Sequence, residues 1–426
     1  MLDLLVIGAG LSGLTAALLA ATAGRSVRVI AKGLGAPMWS AGTLDLLGYL
    51  PDHTPVRSPG AGIPQLPANH PLRQVGAVTA MRAVRDLVGM LTAAGLEYST
   101  HAQDENLVLP SAAGSARPVF AAPTAQLGGR LDDPAPMLIV GFVGLRDFFP
   151  YLIAQNLQRQ GHTVRAVQLP LRLLTDRHDA NTVHLAHALE TPVRRHALAA
   201  ALREQVAQGE RIGMPALLGV EQHTTVWAEI QEAIGAPLFE IPMLPPSVPG
   251  MRLIHTLRRR LAELGIRVEL NMEAVSFSAS HGRIEWVASA TRARPLRHQA
   301  RAYLLATGGI LGGGFRSSPN GALRETLFDL PLLAPPGREH WFATSFLDPA
   351  GHPLFSSGVT VNEAWQPCDE QGAPLFANLW AAGNLLAHAD TIRTRSHEGL
   401  AVATAHTAVT AYLAHAAIPG VMPAPV

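Results

Sequence analysis

Residues 1–33 read MLDLLVIGAGLSGLTAALLAATAGRSVRVIAKG. DLLVIGAG is an apolar strand running into a glycine turn, and SVRVIAKG is a second strand. Between them, LSGLTAALLAATAG is an alanine- and leucine-rich helix ended by a glycine, as helices commonly are. The turn itself is G-A-G-L-S-G, residues 8–13. Glycines there let the backbone come close to a pyrophosphate and let the helix pack on its strand, so the helix N-terminus meets negative charge. Alone the hexapeptide is a weak signal. Inside a complete strand–turn–helix–strand unit it predicts a cofactor site at Gly8, Gly10 and Gly13. One expected residue is missing. The second strand of such a unit normally ends in Asp or Glu, which holds a ribose hydroxyl. Here it ends in Ala31, followed by Lys32, the only lysine in the chain. Lys32 can offer charge to a phosphate but cannot replace the acid.

The chain has 426 residues, 48% of them hydrophobic and 15% charged, which predicts a core-rich globular protein of two domains or one nested pair. A formal net charge of +1 gives no case for nucleic acid or an anionic membrane surface. A single cysteine, Cys368, excludes an internal disulfide and any all-cysteine-ligated iron–sulfur cluster carried by this chain alone. No histidine pair has convincing metal spacing, and no metal is expected. Leu4–Gly24 is uncharged and long enough to mimic a membrane span. The glycine spacing and the absence of a basic leader instead read as a soluble chain with no span of its own.

Further along, MLIVGF (137–142) reads as a strand, DFFPYLIAQNLQRQG as a helix and HTVRAVQL as a strand. Residues 51–74, rich in Pro and Gly, read as loop. MRLIHTLRRRLAELG is a helix, and IRVELNMEAVSFSASHGRIEWVAS a run of strands turning at Ser280–Gly282. Two more glycine turns close apolar strands: A-T-G-G at 306–309 and W-A-A-G-N at 380–384, the latter before a final helix near Gly399. Each is ordinary by itself. Their order, with the fingerprint first, is that of a flavoprotein whose sheet is assembled from distant pieces of chain.

That order resembles the succinate dehydrogenase/fumarate reductase class of flavoproteins. WSAGTLDLLGYLPD (39–52), GFVGLRDFFPYLIAQNL (141–157) and FEIPMLPPSVPGMRLIHTLRRRL (239–261) narrow the resemblance to the B-subunit family of anaerobic glycerol-3-phosphate dehydrogenases. The resemblance implies an α/β fold with a three-layer, Rossmann-like flavin-binding domain from 1–50, 251–310 and 356–426. A second, capping domain would span 110–250. It also implies oxidation of a small phosphorylated substrate, glycerol 3-phosphate, to dihydroxyacetone phosphate with electrons passing to quinone. A catalytic flavoprotein A-subunit and an iron–sulfur, membrane-anchoring C-subunit would be partners, placing the chain in the cytoplasm at the inner face of the membrane. FMN is the implied cofactor, with FAD as the alternative. FMN lacks an adenosine ribose, so the absence of an acid at Ala31 favours it.

By the same resemblance, Ser40, Gly42 and Thr43 would wrap the flavin ring, Thr307 and Gly308 would lie at the second glycine turn, and Gly383 and Asn384 would approach the ribityl chain. Gly399 would open a helix whose positive end faces the reduced ring. Residues 390–398, DTIRTRSHE, depart from the glycine-rich pattern expected there. Arg393 and Arg395 read either as phosphate ligands or as part of a solvated loop or a subunit contact, and His397 either as a proton carrier or as part of that same loop or contact. The catalytic base is not legible. A stand-alone flavin reductase and a non-catalytic electron-relay or scaffold protein remain open alternatives.

Overall fold

The computed structural model describes residues 1–177, 180–319 and 321–417. In chain order, β1 (Leu2–Ile7), α1 (Leu11–Thr22) and β2 (Val27–Ile30) form the opening unit. The stretch expected as loop contains short helical turns, among them α2 (Pro71–Val75). Proline at the first helical position suits such starts, because its missing N–H would have had no partner there. Next come β3 (Met137–Val143), α3 (Pro150–Arg159), β4 (Val164–Pro170), α4 (Pro192–Gln205), β5 (Arg211–Pro215), α5 (His223–Ile234) and β6 (Leu238–Ile241). The remainder includes α6 (Val248–Glu263), β7 (Arg267–Glu269), β8 (Ala274–Ser280), β9 (Arg283–Ser289), β10 (Ala300–Leu305), β11 (Leu379–Ala381) and α7 (His397–Ala416).

The chain divides into two compact units. The first comprises Met1–Ala36, Asp45–Leu87 and the chain from Leu257 onward. Its centre is a five-stranded parallel sheet in the order β7-β2-β1-β10-β11. Parallel neighbours cannot be joined by tight turns, so this sheet gathers segments from three distant parts of the sequence. Leu4, Leu5, Val6 and Ile7 of β1 are all buried, as expected for a strand covered on both faces. The buried helix α7 packs against α1. The uncharged stretch Leu4–Gly24 is therefore mainly a strand, a turn and a 12-residue helix. Among the described residues no helix is long and apolar enough to cross a membrane.

The second unit comprises Pro37–Leu44 and Val88–Thr256. Its parallel sheet has the order β6-β5-β3-β4. Successive residues of β3 serve opposite faces. Leu138, Val140 and Phe142 join a core with Leu198, Leu202 and Ile230, while Met137 and Ile139 join another with Ile153, Leu157 and Phe239. The continuous apolar run MLIVGF is thus a strand buried on both sides, giving a second α/β layer structure.

Candidate flavin-binding site

In the first unit, β1, β10 and β11 lie side by side, and the three glycine turns begin where these strands end. The ladder runs on into the turns: Ala306 N donates to Ile7 O at 2.9 Å, and Ala382 N to Leu305 O at 3.1 Å. Beyond the strand ends the turns interlock. A methyl group on Gly8 would lie 2.2 Å from Ala306 O, and one on Gly13 1.9 Å from Gly8 O. At Gly383 it would meet Ser12 Cβ at 2.9 Å, and at Gly309 it would meet Asn384 O at 2.5 Å. Gly8 and Gly383 also have φ of +119° and +89°, values open to glycine. Gly10 differs. Nothing lies within 4 Å of where its Cβ would be, so the N-terminus of α1 faces open space there.

Three buried polar atoms at these turns have no hydrogen-bond partner: Ser12 Oγ, Thr307 Oγ1 and Asn384 Oδ1. Buried polar atoms are usually satisfied, and a group bound at these interlocked turns would give all three a partner. Two hydroxyls, an amide oxygen and the open N-terminus of a helix suit the hydroxylated chain and phosphate of a flavin. Gly8, Gly10, Gly13, Thr307, Gly308, Gly383 and Asn384 are thereby gathered. The third turn is tied to the last helix, because Gly383 N donates to Thr404 Oγ1 at 2.8 Å and that hydroxyl donates to Leu400 O at 2.6 Å. Ser12 lay within the fingerprint but outside its glycines, and Thr404 has no sequence signal.

Asn384 is positioned by His397, the first residue of α7. Its amide donates to Nε2 at 3.2 Å, while Nδ1 lies 3.3 Å from Thr391 Oγ1. Both ring nitrogens are engaged within the protein. Burial holds the ring below its ordinary pKa, against the opposing pull of Asp45. Gly399 is the third residue of the helix, inside its first turn. A methyl group there would meet Leu46 Cα at 2.4 Å, and its N–H donates to Asp45 O at 3.0 Å. Asp45 also faces Arg395, whose Nη2 is 3.4 Å from Asp45 Oδ2 and whose φ is +45°. The Arg393 guanidinium donates to Ala350 O.

The Lys32 ammonium is 3.0 Å from Glu273 and largely exposed. Ala31 is buried, and its carbonyl accepts from Met272 N at 2.9 Å. Ser40, Gly42 and Thr43 belong to the second unit, in the segment Pro37–Leu44. There PPSVPG holds the segment: Ser247 N donates to Met38 O at 3.1 Å, and a methyl group on Gly250 would lie 1.9 Å from Pro37 O. Gly42, at φ +76°, packs on Pro249, and its carbonyl accepts from the Tyr98 hydroxyl. Ser40 Oγ accepts from Gly42 N at 3.2 Å. Glu240 and Arg252, on either side of PPSVPG, form a buried two-pronged pair at 2.6 and 2.9 Å.

The sequence profile of the FAD binding domain family matches residues 3–399. The chain is 33% identical over 422 residues, 96% of this chain and 97% of the other, to a probable anaerobic glycerol-3-phosphate dehydrogenase B-subunit of Halobacterium salinarum. It is 30% identical over 414 residues, 95% of this chain and 96% of the other, to the anaerobic glycerol-3-phosphate dehydrogenase B-subunit of Pectobacterium carotovorum. Among solved structures it is similar to the open conformation of a flavocytochrome c3 fumarate reductase, at 12% identity and a TM-score of 0.46, over 98% of this chain and 79% of that one. With a profile match over residues 3–399 and relatives alike from end to end, the chain belongs to the FAD binding domain family and, within it, to the B-subunit family of anaerobic glycerol-3-phosphate dehydrogenases.

Proposed function

We propose that this chain is a flavoprotein subunit of a quinone-linked glycerol-3-phosphate dehydrogenase complex, and that its flavin is FMN. The observation that carries the cofactor reading is the cradle of Gly8, Gly13, Thr307, Gly383 and Asn384, combined with the absence of an acid at the end of β2. Bound there, the flavin would take two electrons from a carbinol and release them to an acceptor. Ser12, Thr307 and Asn384 supply the polar atoms that bind and orient it, and Gly10 leaves the N-terminus of α1 open to its phosphate. Ala31 cannot hold an adenosine ribose, and the nearby Glu273 carboxylate is engaged by Lys32. FMN needs neither.

The complex follows from chemistry as well as kinship. With one cysteine the chain cannot ligate an iron–sulfur cluster through cysteines alone, so any such cluster in the proposed complex is held by another subunit. A catalytic flavoprotein A-subunit and an iron–sulfur C-subunit are the partners we assign, with the latter holding the assembly at the inner face of the membrane. The family to which the chain belongs supports the substrate, glycerol 3-phosphate, oxidised to dihydroxyacetone phosphate.

The test is direct. Cofactor released by acid from the purified chain is identified by chromatography before and after phosphodiesterase, and the complex is then mixed with glycerol 3-phosphate under anaerobic conditions. Near-stoichiometric FMN, bleached by the substrate, supports the proposal. FAD would overturn the FMN assignment alone, and a flavin that stays oxidised would overturn the substrate.

A further inference from the structure

The parallel sheet of the second unit ends in a strand with an open side. In the order β6-β5-β3-β4, β4 pairs with β3 alone, in unbroken register from Met137 opposite Val164 to Val143 opposite Pro170. Met137 N donates to Thr163 O at 2.9 Å, so the ladder uses the backbone groups of Arg165, Val167 and Leu169. Those of Val164, Ala166 and Gln168 point the other way. Val164 O accepts from Gln158 Nε2 at 2.6 Å. The N–H and C=O groups of Ala166 and Gln168 meet no partner among the described residues. The other edges of the two central sheets are short: β6 has four residues, all buried, and β7 and β11 have three each. A seven-residue edge without a bulge is a template for another strand.

The surface beside this edge is apolar and electrically neutral. A groove of about 560 Å³ runs between β4 and α3, and its lining includes Tyr151, Leu152, Gln155, Gln158 and Arg165. Tyr151 is 59% exposed and Leu152 46%. Arg165 is the one charged residue in the lining, and its Nε and Nη2 are bound to the Glu210 carboxylate at 2.6 Å each. A surface of uncompensated charge would repel its own copy; this one has none to do so.

We propose that a second copy of this chain docks here, β4 against β4 in the antiparallel sense about a two-fold axis, joining the two four-stranded sheets into one. The strand complements itself in the register that sets Ala166 opposite the partner's Gln168. These two residues then exchange both backbone hydrogen bonds, and the symmetry repeats the pair. Pro170, which has no N–H to give, falls opposite Val164, whose carbonyl is already taken by Gln158. Val167 meets the partner's Val167 and Arg165 meets the partner's Leu169, so no like charges are opposed. Because α3 packs on β4, the α3 helices of the two copies meet on one side of the joined sheet and cover Tyr151 and Leu152.

The experiment uses the full chain with its flavin bound, as wild type, Ala166→Pro and Val167→Cys. Ala166→Pro removes an outward N–H and none of the bonds to β3. Val167→Cys sets two thiols across the axis at a pair whose Cα atoms are about 4.5 Å apart, within reach of a disulfide. Cys368 is buried and stays out of the exchange. Sedimentation velocity should show a concentration-dependent dimer for the wild type. Ala166→Pro should weaken it about tenfold at an unchanged melting temperature. Mild oxidation should link Val167→Cys into a dimer on a non-reducing gel, and should not link Val275→Cys, at an exposed position of the first unit. If Ala166→Pro fails to fold, amide exchange of the wild type decides: the Ala166 and Gln168 N–H groups should exchange slowly in concentrated protein and fast on dilution. A monomer at every concentration, a dimer untouched by Ala166→Pro, exchange that ignores dilution, or no cross-link through Val167→Cys would overturn the proposal. A monomer that enters a larger complex and leaves it on Ala166→Pro would give the edge to another subunit's strand, and would overturn self-pairing as well.

Discussion

The side-chain amide of Asn384 lies 3.2 Å from Nε2 of His397, and the opposite ring nitrogen lies 3.3 Å from Thr391 Oγ1. This geometry makes His397 a support for Asn384. His397→Ala should weaken flavin binding about tenfold, the equivalent of one hydrogen bond of ~1.4 kcal/mol. Flavin reduction by substrate should keep its pH profile. Flavin titration together with the pH dependence of reduction checks this; a profile that flattens in the variant would instead make the ring a proton carrier.

Ser12 Oγ and Thr307 Oγ1 have no partner within the protein. Removing an unsatisfied buried hydroxyl leaves the empty fold no worse, while a ligand that uses it is weakened by about 1 kcal/mol or more. Ser12→Ala and Thr307→Val should therefore leave the melting temperature of the apoprotein level or slightly raised. Each should raise the flavin dissociation constant about fivefold to tenfold. Equal melting losses in apoprotein and holoprotein would count against a cofactor role.

Gly13 allows no side chain, because its Cβ would lie 1.9 Å from Gly8 O. Gly13→Ala must push α1 away from its strand and disturb the turn proposed to face the phosphate. Loss of about 2–3 kcal/mol of stability, in the range of overpacked sites, and of nearly all bound flavin is expected. Denaturant unfolding and the flavin-to-protein absorbance ratio measure the two effects.

In the second unit Glu240 is buried, and Arg252 Nε also reaches Gly219 O at 2.8 Å. Burial alone would raise the Glu240 carboxyl, but the charge and hydrogen bonds of Arg252 outweigh it and hold it below its ordinary value. Arg252→Met strands a buried carboxylate and should cost about 3–5 kcal/mol. Replacing both, as Glu240→Leu with Arg252→Met, should recover much of that loss. Urea unfolding of the three proteins forms the cycle, and equal losses for single and double variants would contradict it.

His223 completes this cluster. Its Nδ1 donates to Leu218 O at 2.8 Å, and its Nε2 lies 3.4 Å from Arg252 Nη1, an arrangement that requires a neutral ring. Burial, then the Arg252 charge, lower its pKa from 6.5 to about 4. Between those values the unfolded chain binds the extra proton and the folded chain does not, so stability rises with pH across that window. Lowering pH from 7 toward 4 should remove about 3 kcal/mol through this ring. His223→Gln should unfold with a visibly shallower pH slope in the same denaturant series.

Local sequence determined the opening βαβ unit, the strand character of MLIVGF and the positions of three glycine turns. These are properties of neighbouring residues: apolar periodicity, helix stops, and glycine where backbone must close on backbone. It also determined that no acid follows β2. Only the tertiary structure decided that β1 lies between β2 and β10, which brings Gly8 against Ala306 from 298 positions away. It decided that Arg395 faces Asp45, that both nitrogens of His397 are engaged, and that PPSVPG clamps the segment bearing Ser40 and Gly42. Such pairings depend on which distant surfaces become buried together, and the local pattern of one segment does not name its partner.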